Sequence, residues 1–365
     1  MDFPAAKSLY VHIPFCNGIC PYCDFCKVEK STGYEQGYME ALLFDVSKLA
    51  GRKFETIYVG GGTPTCLEDS SFLSLLSSLS PLLEEGGEFT VEANPESLSE
   101  EKMAAMKGNG VNRVSIGVES TKEEYLRFLG RRHSFSLVKE KVVSLRRLGF
   151  TNINLDLMYG LPKETLIEVS EEVENLLSLC PEHISTYSLI LEKGTVFAAK
   201  GIKEGDEEKV AEQYAKINDI LKKHGYHRYE VSNFSLPDKE SRHNLTYWRD
   251  ETYVGLGAGA SGYEEGVRYR NTFSVPSYIN GKRRIEEERV DNNGDKSYFL
   301  LTGLRLSMGI SLEEYRKRFD SDLLIEKKEA VDRQLSLGNI VIEDGRLWVK
   351  EDRMILLDRV LVDFI

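Results

Sequence analysis

The sequence predicts an α/β chain, a partial (β/α)6 TIM-like barrel followed by a smaller C-terminal α+β domain with a winged-helix-like shape. Three observations carry that expectation. From residue 9 to about 190 the chain repeats one phrase, a short β-branched or apolar strand, a turn and a helical stretch, which is the pattern of right-handed βαβ units on a parallel sheet. The tips after successive strands are glycine-rich or polar, and a parallel barrel keeps its chemistry at those ends. From about residue 296 the phrase gives way to helices and then a hairpin.

Strands are expected at 9–13, 56–60, 88–92, 113–117, 152–157 and 183–189, with helices at 70–83, 100–107, 122–129, 137–148 and 165–179. Cys16, Cys20 and Cys23 follow the first strand, Gly60-Gly61-Gly62-Thr63-Pro64 ends the second, and Glu92-Ala93-Asn94-Pro95 ends the third. Glu119 and Ser120 follow the fourth strand, and Asp156 ends the fifth. Five consecutive tips of this kind imply one rim that holds a polar ligand. The division expected along the chain is a barrel over 1–235, a strand-rich linking segment over 236–295 and a C-terminal domain over 296–365. In that last part Ser311-Leu312-Glu313-Glu314 reads as a capping box opening a helix. Residues 323–337 have helical periodicity, and 338–349 read as a hairpin turning on Asp344-Gly345.

Composition bounds the function. With 365 residues and 41% hydrophobic content the chain buries a sizeable core. A formal net charge of −12 argues against a nucleic-acid partner, which draws on clustered Lys and Arg. No apolar run approaches the roughly 20 residues of a membrane span. Six Cys in 365 residues make a poor disulfide framework, and residues 1–7 hold no apolar signal core, so a cytoplasmic, reducing compartment is expected.

The densest chemical signal is Cys16-Asn17-Gly18-Ile19-Cys20-Pro21-Tyr22-Cys23. Three thiolates from one short loop suit a [4Fe-4S] cube with one iron left open. With Cys26 the run becomes C-x3-C-x2-C-x2-C, and four thiols are also the donor set of a structural zinc site. Zinc knuckles usually come in pairs, and no second one follows downstream. Consecutive glycines at 60–62 let a ligand approach backbone groups, while Glu92, Glu119 and Asp156 are acceptors for an ammonium or for ribose hydroxyls.

Cys16-x3-Cys20-x2-Cys23 with Tyr22, followed by Gly60-Gly61-Gly62-Thr63-Pro64, resembles the radical S-adenosylmethionine superfamily. Within it, segments 10–16, 91–95, 114–118 and 154–162 resemble the oxygen-independent coproporphyrinogen III oxidase group. Those oxidases typically continue the cysteine motif as C-x-C after a longer N-terminal extension. Here it continues Cys23-Asp24-Phe25-Cys26 with 15 residues ahead of Cys16, and His243-Asn244-Leu245-Thr246-Tyr247-Trp248 is similar to the H-N-x-x-Y-W segment of the HemW haem chaperones.

The resemblance implies that Cys16, Cys20 and Cys23 hold a [4Fe-4S] cluster whose open iron chelates S-adenosylmethionine. It places Tyr10, Tyr22, Gly61, Gly62, Thr63, Glu92, Glu119, Arg131, Asp156 and Ile190 on the S-adenosylmethionine pocket. Reductive cleavage of the sulfonium would then yield a 5′-deoxyadenosyl radical. It also implies haem as a ligand, a haem acceptor protein and an electron donor as partners, and coproporphyrinogen oxidation as the alternative activity. His243 is the candidate haem ligand among the six histidines, beside the rings of Tyr247 and Trp248. Glu119 stands where the group commonly has glutamine, and Ser261 replaces a histidine in the Gly255–Gly262 loop, so no haem ligation is carried over to that position. The formal Gly257-x-Gly259-x-x-Gly262 fingerprint leads into strand-like sequence rather than a helix, and no nicotinamide site is expected.

Overall fold

A 12-stranded sheet organises the computed structural model, which describes residues 4–365. At its centre six parallel strands lie side by side in chain order: β1 (Ser8–Ile13), β2 (Phe54–Gly61), β3 (Leu83–Ala93), β4 (Arg113–Glu119), β5 (Ile153–Tyr159) and β6 (His183–Ser188). The crossovers carry α1 (Glu35–Ser47), α2 (Asp69–Leu79), α3 (Glu100–Gly108), α4 (Glu123–Phe128), α5 (Phe135–Arg147) and α6 (Leu166–Leu177). The last of these opens on a full capping box, Thr165 with Glu168. The expected barrel of six βα units is therefore present. The helix expected at 70–83 ends at Leu79, because Pro81 sits in a short 3-10 turn over Ser80–Leu82.

Side chains on a strand alternate between its faces, and here the alternation separates apolar from polar. Leu9 and Val11, Ile57 and Val59, Phe89 and Val91, Val114 and Ile116, and Leu155 and Leu157 are fully buried in the main core with the helices. Their neighbours Tyr58, Glu92, Arg113, Ser115, Asn154 and Asp156 line a cavity inside the barrel. A closed eight-stranded barrel fills that space with branched aliphatics. This six-stranded one leaves it polar and open.

The sheet continues past both edges of the barrel. On the β6 side follow β7 (His227–Arg228) and β8 (Asn233–Ser235), with β8 antiparallel to β6. On the β1 side β9 (Tyr253–Leu256) runs parallel to β1, and β10 (Ser261–Glu264), β11 (Val267–Asn271) and β12 (Arg284–Arg289) extend it antiparallel. The 257–262 glycine fingerprint thus lies in a β9–β10 connection and opens no helix.

The C-terminal part has its own core, built from residues such as Phe299, Leu300, Tyr315, Leu347 and Phe364. Its order is helix Asn292–Gly303, strand Ile310–Ser311, helix Leu312–Phe319, helices Leu323–Glu326 and Lys328–Ser336, and a hairpin of Ile340–Glu343 with Arg346–Val349. Helices followed by a hairpin are present as expected, and a last helix, Leu357–Leu361, follows the hairpin. Asp344 and Gly345 have φ of 48° and 71°, the positive pair that a two-residue hairpin turn requires. Two local expectations are modified. Only the hydroxyl half of the Ser311 cap forms, accepting from the Glu314 N–H at 3.2 Å. The helix expected over 323–337 breaks at Lys327, whose φ of −109° and ψ of 31° leave the helical region, so that Leu323 and Val331 both enter one core. Arg318 of this part ties Asp250 at 2.8 Å to Asp295.

Candidate cofactor site in the barrel lumen

The cysteine loop leaves β1 and returns by a short parallel pairing of Phe15–Cys16 with Val28–Glu29. His12 fastens its far end, Nε2 lying 2.8 Å from the Cys26 carbonyl. Cys16, Cys20 and Cys23 are half-buried free thiols on one cavity of about 530 Å3. Cys26 is buried and turned away, its thiol donating to the Phe273 carbonyl at 3.3 Å. Among the described residues no three His, Cys, Asp or Glu side chains stand close enough to share one metal ion. A [4Fe-4S] cube asks each thiolate to reach a different iron, so wider spacing fits it, and the donor set matches: three thiols, with the fourth withdrawn. Burial pushes the Cys16 thiol up to about 11, against a weak Thr63 hydroxyl contact, and raises Cys23 as well.

The glycine tip of β2 is moulded to this loop. A Cβ on Gly62 would stand 2.8 Å from the Phe15 carbonyl and 2.9 Å from the Cys16 sulfur, and Gly61 has a φ of +115° that other residues rarely adopt. The backbone N–H groups are not left for a ligand, which corrects one expectation. Gly61 N–H donates to Glu92 at 3.0 Å, Gly62 N–H to the Ile13 carbonyl at 2.8 Å and Thr63 N–H to the Phe15 carbonyl at 2.8 Å. Absent side chains, rather than free donors, are what the glycines contribute.

The strand-end acids converge on the same lumen. Glu92 accepts from Tyr58 at 2.7 Å, and burial raises its carboxyl despite that bond and the one from Gly61. Asp156 accepts from Asn154 at 2.7 Å, and burial, reinforced by the charges of Glu119 and Glu92, pushes it up to about 7. Glu119 sits with φ of 64° at an irregularity where β4 and β5 skip register, and it accepts from Tyr187 at 2.5 Å. Arg131 reaches in from the loop after α4, donating to Asn94 at 2.8 Å and the Gly117 carbonyl at 2.5 Å, with one nitrogen 3.7 Å from the Cys20 sulfur. Burial opposes its charge, and the neighbouring Glu119, Tyr22, Cys20 and Glu96 together outweigh that and hold it firmly protonated. Beside the thiols, three carboxyls face the Arg131 guanidinium, an environment that favours a cationic ligand there.

Of the residues expected at the S-adenosylmethionine pocket, Tyr22, Gly61, Gly62, Thr63, Glu92, Glu119, Arg131, Asp156 and Ile190 line the cavity. Tyr10 is not among its lining residues, and its hydroxyl bonds His12 Nδ1 at 2.9 Å. His243 requires a correction. It is 1% exposed on α9, the helix Arg242–Trp248 (α7 being Val196–Ala199 and α8 Glu207–Lys223). Its Nδ1 lies 2.7 Å from the Thr56 hydroxyl and its Nε2 2.8 Å from the Tyr247 hydroxyl. Neither ring nitrogen is left for an iron. Burial and the charge of Arg113 hold the ring neutral, down at about 3. Sequence reading missed Tyr58, Arg113, Asn154 and Tyr187, all lining the cavity. Their signal was available, since most are polar positions at period two on otherwise apolar strands.

The radical SAM superfamily profile matches residues 10–176. The chain is 41% identical to the heme chaperone HemW of Lactococcus lactis over 322 residues, 86% of this chain and 85% of that one. It is 38% identical to the Bacillus subtilis protein of the same name, over 87% and 88% of the two chains. The chain belongs to the HemW family. Its fold is also that of the coproporphyrinogen III oxidase HemN from Escherichia coli, at a TM-score of 0.86 and 21% identity, across 99% of this chain and 90% of that one. HemW relatives reach 35% identity in Escherichia coli, over 82% of each chain. Among the described residues no helix is long and apolar enough to cross a membrane.

Proposed function

We propose that this chain is a haem chaperone that binds a [4Fe-4S] cluster, S-adenosylmethionine and haem, and hands haem to an acceptor protein in the cytoplasm. The observation that carries the reading is the sharing of one lumen by three thiols and three acids, in a chain whose HemW relatives span most of its length. Cys16, Cys20 and Cys23 would hold the cluster, with Cys26 committed to Phe273. Glu92, Glu119 and Asp156 would receive the ammonium or ribose of S-adenosylmethionine, and Tyr22 and Ile190 would border it. When bound, cluster and S-adenosylmethionine supply one-electron chemistry of their own, which an electron donor would have to prime.

The chain's own residues do the binding and the exclusion of water. Asp156, pushed up to about 7, is only partly ionised near neutrality in the open lumen. An arriving ammonium favours its ionised form, so binding releases a proton and turns an unfavourable burial into a charge pair. Arg131, fixed by Asn94 and the Gly117 carbonyl, faces Cys20 and offsets negative charge on that side.

Anaerobic reconstitution followed by paired assays tests the reading. Haem binding, transfer to an apo-acceptor and no conversion of coproporphyrinogen III are the expected results. Catalytic turnover without haem binding would replace the chaperone with an oxidase.

A further inference from the structure

The lumen continues below the acids. Toward the N-terminal ends of the strands it is lined by Arg113, Ser115, Asn154, Ser185, Asn233 and Asn244. Arg113, the first residue of β4, is 2% exposed, and its Nε has no hydrogen-bond partner. The Nε atoms of Arg131 and Arg228 are unpartnered too, but those side chains are anchored through their terminal nitrogens, Arg131 to Asn94 and the Gly117 carbonyl and Arg228 to Tyr214 at 2.7 Å. An unanchored guanidinium with five donors and a permanent charge is costly to bury.

The acids nearest this floor are committed elsewhere. Glu88 accepts from the N–H groups of Arg242 and His243, each at 3.1 Å. Glu230 accepts through one oxygen from the Ser232 N–H at 2.9 Å and from Asn233 at 2.5 Å; its other oxygen has no hydrogen-bond partner, and the cations acting on it are Arg305 and Arg228. Glu92 is held by Tyr58 and Gly61. The rings of His183 and His243 offer no negative charge, and both have their nitrogens bonded. The charge of Arg113 acts on Glu92, which burial nonetheless raises, and the other groups lining the floor with it are hydroxyls and amides, the groups that complete the hydrogen bonding of a small anion.

We propose that this floor is a second recognition compartment, in which Arg113 binds a carboxylate of a ligand other than S-adenosylmethionine. On the haem-chaperone reading, on which this inference rests, that carboxylate is a propionate arm of a tetrapyrrole. The carboxylate of S-adenosylmethionine is the other source of the same chemistry, and the test separates the two.

Spectroscopic titration of the reconstituted full chain with haemin, haemin dimethyl ester and S-adenosylmethionine decides the matter. The unsubstituted protein should prefer the free acid to the ester by roughly tenfold or more, the size of one charged hydrogen bond. Arg113→Gln should erase that preference and leave S-adenosylmethionine affinity unchanged, while Arg113→Lys should keep part of it. Equal binding of acid and ester by the unsubstituted protein overturns the proposal, and needs no variant to fold. So does a loss of S-adenosylmethionine affinity in Arg113→Gln matching its loss for haemin, since Arg113 would then serve that cofactor. If neither haemin nor its ester binds, the haem-chaperone reading falls. The floor is then decided by coproporphyrin III against its tetramethyl ester, where a preference for the acid that Arg113→Gln removes sustains it and no preference overturns it.

Discussion

The two faces of the six barrel strands differ more than any two separate parts of this molecule, although they alternate from one residue to the next. Outward, Leu155 is 0% exposed in an apolar core shared with the helices. One position later, Asp156 faces a lumen where burial and two neighbouring carboxylates push it up to about 7. Apolar burial stabilises the outer face by about 25 cal/mol per Å2. The lumen works in the opposite direction, gathering buried acids and an unanchored arginine that oppose folding until a ligand arrives. Stability carried by one face leaves the other free to be polar.

Substitutions that separate those faces break or sharpen this contrast. The largest effect belongs to the thiols: Cys16→Ala, Cys20→Ala or Cys23→Ala should abolish most of the roughly four irons per chain of a reconstituted cube. Cys26→Ala, altering a thiol that faces away from the lumen, should leave iron content nearly intact. Iron analysis after anaerobic reconstitution reads both, and a full complement in Cys20→Ala would sink the cluster assignment.

Next comes the outer face. Leu155→Ala should destabilise the chain by about 2–5 kcal/mol, as large-to-small core changes do, and the folded fraction should bind S-adenosylmethionine with unchanged affinity. Urea unfolding and calorimetry check this, and a large affinity loss would mean the faces are not independent.

Asp156→Asn should behave in the opposite way. The acid's value rises from 3.8 in the unfolded chain to about 7 in the fold. Between about pH 4 and 7 the native state therefore holds a proton that the unfolded state has lost, and stability falls as pH rises. The variant should match the parent near pH 4 and exceed it by roughly 1–3 kcal/mol at pH 8 without ligand. It should also bind S-adenosylmethionine more weakly, and the parent's affinity should itself fall as pH drops below about 7. Unfolding curves across that range are the check, and a pH-independent difference would remove Asp156 from the account.

The smallest effect is expected at His243. With both nitrogens bonded to Thr56 and Tyr247, His243→Ala should cost about 1–3 kcal/mol of stability for two buried hydrogen bonds. Haem binding by the folded fraction should persist, with an unchanged absorption spectrum. A shifted Soret band would restore this histidine as an iron ligand.

The sequence by itself determined the alternation of strands and helices, the three-thiol loop after β1, the glycine tip of β2 and the acids at later strand ends. Those features are local, because strand length, turn chemistry and the order of βα units follow from neighbouring residues. Tertiary structure decided which polar groups meet. Asn154 reaches Asp156 because both face inward on β5, while Tyr187 of β6 reaches Glu119 across 68 positions of chain. Cys26 lies close to the three thiols in sequence, and it finds the Phe273 carbonyl 247 positions away. His243 looked available beside two aromatic residues, yet Thr56, 187 positions earlier, occupies one of its nitrogens. Spacing along a strand sets the face a residue presents, whereas the partner it meets depends on how distant strands curve around one lumen, and no local pattern records that.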